Sequence, residues 1–329
     1  MAKLTPDKKA DLLIGVDIGG TNLRVGLVNK QGSVLADARR PSQAEKGLAA
    51  TVSATIEAIK SLLDQQNRKP TDIAGIGLAV PGNHDSKKGL CLTSPNFGGE
   101  FPVPVTEPIE KALGLPAFML NDANTAAFGE HRFGAGRGVD NMVMFTLGTG
   151  IGGGAVIDGE LRIGPTEGFA EVGHMILDPE GPQCGCGNHG CWEALAGRDA
   201  IIERAVRALE YGDDSSLLAL CEGNLDKITP ALITQAAQDG DALSLDVMEE
   251  TANWIGIGCI NLICLYNPEI IVIGGGIAGA LPLILPTIKR TVHARARFVN
   301  AGCCQILPSQ LASDAGLIGA ASLVLKSME

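Results

Sequence analysis

The sequence lacks an excess of basic residues: 26 lysines and arginines stand against 37 aspartates and glutamates, a formal net charge of −11. A nucleic-acid groove needs a basic face to neutralise phosphates, so no nucleic-acid partner is expected. The opening MAKLTPDKKADLL carries lysines but no apolar h-region, and does not read as a signal peptide. There is also no uniformly apolar run of about 20 residues, the length a membrane span requires. The nearest approach is TANWIGIGCINLICLYNP, Thr251 to Pro268; Asn253, Asn261 and Asn267 interrupt it, so it reads as a buried core helix. A soluble, cytoplasmic protein is therefore expected, without membrane partners. No G-x-x-x-x-G-K-[ST] motif is present, which excludes a P-loop enzyme. GGGI at 274–277 lacks the G-x-G-x-x-G spacing, which disfavours a dinucleotide fold. Nine cysteines, odd in number and unevenly placed, are not a secreted disulfide framework. Cys259, Cys264, Cys303 and Cys304 lie in apolar surroundings and read as core filling.

What is present is an apolar content of 45% with 43 glycines in 329 residues. That describes a turn-rich globular α/β chain of two domains, or one domain with a large insertion. LLIGVDIGG, LRVGLVN and SVLADARR read as three strands. A helix is predicted over roughly Ala44 to Gln66, where Leu48, Val52, Ile56, Ile59 and Leu63 recur at helical spacing. IAGIGLAV and AFMLND are further strands, and ANTAAFGEHRFG continues the second as a helix. At Asn141 the pattern restarts: MVMFTLG and GGAVIDG are strands joined by glycines, EIIVIGGG and QILPS follow, and a terminal helix runs from about Ser313 to Lys326. VDIGGTNLRVGLV (16–28) and FTLGTGIGGGAVI (145–157) align without a gap as strand, glycine turn, strand. Glycine turns are common, so two unrelated hairpins would look the same. The length and order of the match favour two duplicated domains facing a cleft.

Three glycine runs carry phosphate-binding chemistry. In DIGGT, Gly19 and Gly20 let backbone N–H groups turn toward a phosphate, Thr21 adds a hydroxyl and Asp17 a carboxylate for hydrated Mg²⁺. Gly148, Thr149 and Gly150 in LGTG offer similar donors, and Gly274, Gly275 and Gly276 end a third strand. Between residues 173 and 193, His174, Cys184, Cys186 and Cys191 have the number and types of a closed Cys₃His zinc site, spaced H-x9-C-x-C-x4-C. Four protein ligands leave no open position, so the zinc is expected to be structural; His189 is an alternative to His174. Glu171 and Glu193 flank the cluster, and metal ligation would orient both carboxylates toward a polyhydroxylated ligand. Asn121 and Asp122 stand at a strand-to-helix junction. Asp122 reads as a helix N-cap or as a general base for an attacking hydroxyl.

Together these residues resemble the ROK family (repressors, open reading frames and kinases) of the ribonuclease-H-like, actin-type ATPase superfamily. The resemblance runs from DIGGT to the GLIGAA helix and rests on DIGGTNLRVGLV, AVPG, SPN, NDANTAAFGE, LGTGIGGG, ExGH, CGCGxxGCxE and NPEIIVIGGG, in the family's order. It implies two ribonuclease-H-like α/β domains facing a cleft, with a zinc-binding loop in the larger one. The small domain would be residues 1–122, completed by the C-terminal helix at about 313–329; the large domain, residues 123–312, would carry the zinc loop and dimerisation helices. It further implies Asp122 as catalytic base, and Asn96, Asn121, Asp122, Glu171, His174 and Glu193 on the hexose. ATP would be held by Asp17, Gly19, Gly20, Thr21, Asn22 and the other two glycine runs, with Mg²⁺. His174 would serve zinc through one ring nitrogen and sugar through the other. A homodimer or homotetramer is implied as well. The expected activity is transfer of phosphate from ATP to the 6-hydroxyl of a hexose, with glucose the first choice and fructose, mannose or an N-acetylhexosamine as alternatives. The family's sugar-responsive repressors carry a winged helix-turn-helix ahead of DIGGT; with about 16 residues before Asp17 and an acidic chain, DNA binding is not expected. One departure stands out: the family reads A-G-E-x-G-H where this chain has Phe169-Ala170-Glu171-Val172-Gly173-His174. The bulkier approach could alter which sugar fits.

Overall fold

A computed structural model describes residues 4–7, 10–297, 302 and 304–329. The first stretch runs β1 (Leu12–Ile18), β2 (Asn22–Asn29), β3 (Val34–Pro41), α1 (Leu48–Gln65), β4 (Ile73–Val80), β5 (Asn83–Asp85), β6 (Leu90–Thr93), β7 (Val103–Pro104), α2 (Thr106–Leu113), β8 (Ala117–Asn121) and α3 (Asp122–Phe133). The second begins with β9 (Met142–Leu147), β10 (Ile151–Ile157) and β11 (Glu160–Arg162). The helices α4 (Trp192–Ala196), α5 (Arg198–Glu210), α6 (Leu217–Leu220), α7 (Pro230–Gln238) and α8 (Ala242–Tyr266) follow. β12 (Ile270–Gly274), α9 (Leu281–Arg295), β13 (Gln305–Pro308) and α10 (Ala315–Met328) close the chain.

One five-stranded sheet has the order β3-β2-β1-β4-β8, and a second has β11-β10-β9-β12-β13. In the first, β2 is antiparallel to β1 and β3, while β4 is parallel to β1 and β8. In the second, β12 is parallel to β9 and β13, and β11 is antiparallel to β10. The repeat visible in two glycine hairpins thus extends to the strand order of both sheets. β5, β6 and β7 form a small third sheet that the sequence reading did not anticipate.

Each position of β4 is buried, as a central parallel strand covered on both faces requires. One face packs on α1 and α2 through Leu48, Val52, Ile59 and Ile109. On the other face α10 approaches so closely that side chains are excluded beneath it. A Cβ on Gly15 would lie 2.2 Å from Leu317 O, and one on Gly77 would lie 1.7 Å from Ala320 O. α3 meets α10 in the same way, a Cβ on Gly319 falling 1.9 Å from Thr125 O.

The chain forms two compact units, residues 1–138 with 154–170 and 310–329, and residues 139–153 with 171–309. This differs from a division after residue 122, because α3 packs along α10 and belongs with the first unit. The helix expected from Ala44 starts instead at Leu48: Gly47 at φ 87° ends a short 3₁₀ turn over Ala44–Lys46. Cys264 is exposed and is not core filling, unlike the buried Cys259. Cys304 is half-buried, and Cys303 lies outside the described residues. Among the described residues no helix is long and apolar enough to cross a membrane.

Candidate functional site

The first unit gathers Asp17, the DIGGT turn, Asn96, Asn121 and Asp122. β1 delivers Asp17 to its C-terminal end, and the turn closes with Gly19 N–H donating to Asn22 O at 2.8 Å. A residue the sequence reading passed over holds this turn from behind. Buried Ser42 donates its hydroxyl to Gly20 O at 2.9 Å and its N–H to Thr21 O at 3.0 Å. Those two bonds consume carbonyls and leave Thr21 and Asn22 exposed. Gly20 lies against Asn96, and a Cβ there, 2.9 Å from Asn96 Nδ2, would push that side chain aside.

At the β8–α3 junction the helix cap is Asn121, not Asp122. Asn121 Oδ1 accepts from Ala123 N–H at 2.9 Å and Asn124 N–H at 3.3 Å, while its Nδ2 donates to Gly82 O. Asp122 is the first helical residue, half-buried, with Oδ1 accepting from Ala123 N–H at 3.0 Å. Burial pushes its carboxyl pKa up. Asp17 is raised to about 6, by burial first and by the charge of Asp122 second, with Arg24 and Arg39 opposing. Two acids with raised pKa values, one on β1 and one where α3 leaves β8 on the far side of β4, form a proton-accepting, cation-attracting patch.

The second unit gathers the LGTG hairpin, Glu171, the cysteine cluster, Glu193 and the third glycine run. Glu171 and His174 are exposed on a 3₁₀ turn. The ligand atoms of His174, Cys184, Cys186 and Cys191 all lie within 4.8 Å of one another. Cys184 Sγ is 3.7 Å from His174 Nδ1, and Cys186 Sγ is 3.7 Å from Cys191 Sγ. Tetrahedral zinc with bonds of about 2.0–2.3 Å separates its ligands by roughly 3.5–3.8 Å, so the donors fit that ion. Ligation through Nδ1 leaves His174 Nε2 for another partner. His189 stands apart from this set, its Nδ1 3.2 Å from Gly181 O.

Glu193, two residues after Cys191, reaches the hairpin. Its Oε2 accepts from Ile151 N–H at 2.9 Å, and its Oε1 is 3.7 Å from Cys184 Sγ. Gly150 makes room for it, because a Cβ there would sit 2.0 Å from Oε2. Arg198, which the sequence reading did not single out, donates from Nη1 to Thr149 Oγ1 at 3.3 Å and from its N–H to Gly148 O at 3.2 Å. Gly275, at φ 92°, backs onto Leu147 so closely that a Cβ would meet Leu147 O at 2.3 Å, while Gly276 opens onto free space.

A sequence profile of the ROK family matches residues 13–327. The chain is 37% identical over 312 residues to a glucokinase of Thermotoga maritima, covering 95% of this chain and 96% of that one. It is 28% identical to the xylose repressor of Bacillus subtilis, over 97% of this chain and 78% of the repressor. Among solved structures, a ROK family glucokinase from Streptomyces griseus in complex with glucose and AMPPNP superposes with a TM-score of 0.82 at 34% identity, covering 96% of this chain and 99% of that one. With the actin-type α/β architecture and the Cys₃His cluster already described, the chain belongs to the ROK family.

Proposed function

We propose that this protein is an ATP-dependent hexokinase that phosphorylates the 6-hydroxyl of glucose, with Asp122 as general base. The observation that carries the reading is the state of Asp122. Asn121 supplies the helix cap, so the Asp122 carboxylate is not committed to that task, and burial makes it a stronger base. Similarity to glucokinases along nearly the whole chain supports glucose as the acceptor.

In this mechanism Asn96, Asn121, Glu171, His174 Nε2 and Glu193 hydrogen-bond the sugar hydroxyls and orient the 6-hydroxyl toward Asp122. Asp122 takes the hydroxyl proton as the oxygen forms its bond to the γ-phosphorus, and the bond to ADP breaks. The backbone donors of the DIGGT and LGTG turns, with Thr21, Asn22 and Thr149, hold the phosphates; in the third glycine run Gly276 leaves space for the nucleotide, with Gly274 and Gly275 packed behind it. Asp17 would hold Mg²⁺, which neutralises charge on the transferring group when bound. Zinc at His174, Cys184, Cys186 and Cys191 would fix the sugar-binding carboxylates. The two units act as the two domains of one enzyme, which works in the cytoplasm as a homodimer or homotetramer.

A substrate panel with ATP tests this. Glucose should give the highest kcat/KM among glucose, fructose, mannose and N-acetylhexosamines. Preference for another hexose would move the specificity and keep the chemistry. Similarity to a xylose repressor favours a second reading, a sugar-responsive regulator. Sugar binding without turnover of any sugar would establish that reading and remove the kinase.

A further inference from the structure

The segment that follows the cysteine cluster grips the LGTG hairpin at three successive places. Arg198 N–H donates to Gly148 O, the Arg198 guanidinium to Thr149 Oγ1, and Ile151 N–H donates to Glu193 Oε2. The segment before the cluster presses on the same hairpin: a Cβ on Gly173, next to His174, would fall 2.0 Å from Ile151 O. Within the turn, Gly148 N–H donates to Gly150 O at 3.0 Å, and β9 and β10 pair on either side of it. The tip of the hairpin is therefore held from outside by residues 173, 193 and 198, which flank His174 and Cys191.

We propose that the metal cluster governs the nucleotide site as well as the sugar site, with Glu193 as the positioning residue between them. This rests on the reading of LGTG as a phosphate-binding turn. Cys191 precedes α4 as its N-terminal flanking residue, and Glu193 lies in the first turn of that short helix. Ligation of Cys191 therefore anchors the start of the helix that carries Glu193, while Cys184, 3.7 Å from Glu193 Oε1, is a thiolate when it ligates and leaves the carboxylate to its bond with Ile151 N–H. Fixed there, Oε2 holds Ile151 N–H and orients the peptide that links Gly150 to Ile151. With the metal gone, the loop loses its cross-link, Glu193 is free to turn, and the hairpin's N–H groups are no longer pre-aimed. The glycine at position 150 is explained by the same contact, because any side chain would displace the carboxylate.

The test is ADP affinity measured by calorimetry without sugar, for the zinc-loaded protein and after chelation, with zinc content verified. Chelation should weaken ADP binding about tenfold, the effect of one charge-assisted hydrogen bond. Glu193→Ala in zinc-loaded protein should produce the same loss, and Glu193→Gln, whose amide oxygen still accepts from Ile151 N–H, should restore most of it. Chelating Glu193→Ala should add nothing further. Losses that add, or wild-type ADP affinity in either chelated protein or zinc-loaded Glu193→Ala, would overturn the coupling. Absence of ADP binding by the zinc-loaded wild type would instead overturn the kinase reading.

Discussion

The charge of Asp122 bears on Asp17: together with burial it holds the Asp17 carboxyl at about 6, well above its ordinary 3.8. A folded-state pKa above the unfolded one means that protonated Asp17 favours the fold. That contribution is present below about 3.8 and is lost as pH rises through about 6.

Asp17→Asn should therefore have a higher Tm than wild type at pH 7.5 and nearly the same Tm at pH 4. In wild type, binding of Mg²⁺–nucleotide should strengthen as pH rises through about 6, because the cation needs the ionised carboxylate; the variant should lose that dependence. Calorimetric scans and nucleotide titrations at both pH values check this. A variant less stable than wild type at pH 7.5 would contradict the assigned burial of the charge.

Asp122→Asn should slow turnover by roughly 10²- to 10⁴-fold, the range for a lost general base. Far-ultraviolet circular dichroism and the sugar Kd should stay near wild type, since Asn121 and not Asp122 caps α3. Undiminished kcat would take Asp122 out of the mechanism.

Gly77→Ala should be among the most damaging single-methyl changes in the chain. The new Cβ would sit 1.7 Å from Ala320 O, and α10 backbone, unlike a side-chain tip, cannot turn away. Overpacking of this kind costs about 1–3 kcal/mol, occasionally more, and the folded yield should fall with it. Gly98→Ala, where nothing lies within 4 Å, is the control and should match wild type.

Ala170→Gly should stabilise the protein. Ala170 is buried at φ 64°, a left-handed conformation that costs an L-residue about 1–2 kcal/mol, partly offset by the greater freedom of glycine in the unfolded chain. A Tm rise of a degree or more is expected, and a fall would show that the methyl group's packing outweighs the strain.

Glycines made much of this structure readable in advance. DIGGT and LGTG betrayed both hairpins, but the left-handed backbone at Ala170 was not legible in the sequence. The unusual H-x9-C-x-C-x4-C spacing likewise pointed to four ligand atoms that do converge. Other features lie beyond local pattern. Ser42 meets the DIGGT turn across a hairpin, and nothing about an isolated serine after Arg40-Pro41 announces that. β5 and β7 are too short to show a period of two. The membership of α3 in the first unit depends on α10, nearly 200 residues later, which no window on the sequence can register. Asn121 and Asp122 are both good caps, and it takes the bonds from Ala123 and Asn124 N–H to Asn121 Oδ1 to separate them.

The seat of α10 carries a consequence for synthesis. Its residues, Ala315–Met328, cover β1 and β4 and lie against α3, yet a ribosome makes them about 300 residues after β1. Until they emerge, Gly15 and Gly77 mark a bare strip of sheet flanked by Leu13, Ala74 and Val28, apolar residues that α10 later shields. The second unit needs nothing beyond Ser309 and can condense while the chain is still tethered. The first unit, although most of it is translated earlier, can close only once residues 310–329 have emerged. A nascent chain of this protein should hold a chaperone-binding surface on β1 and β4 until α10 emerges.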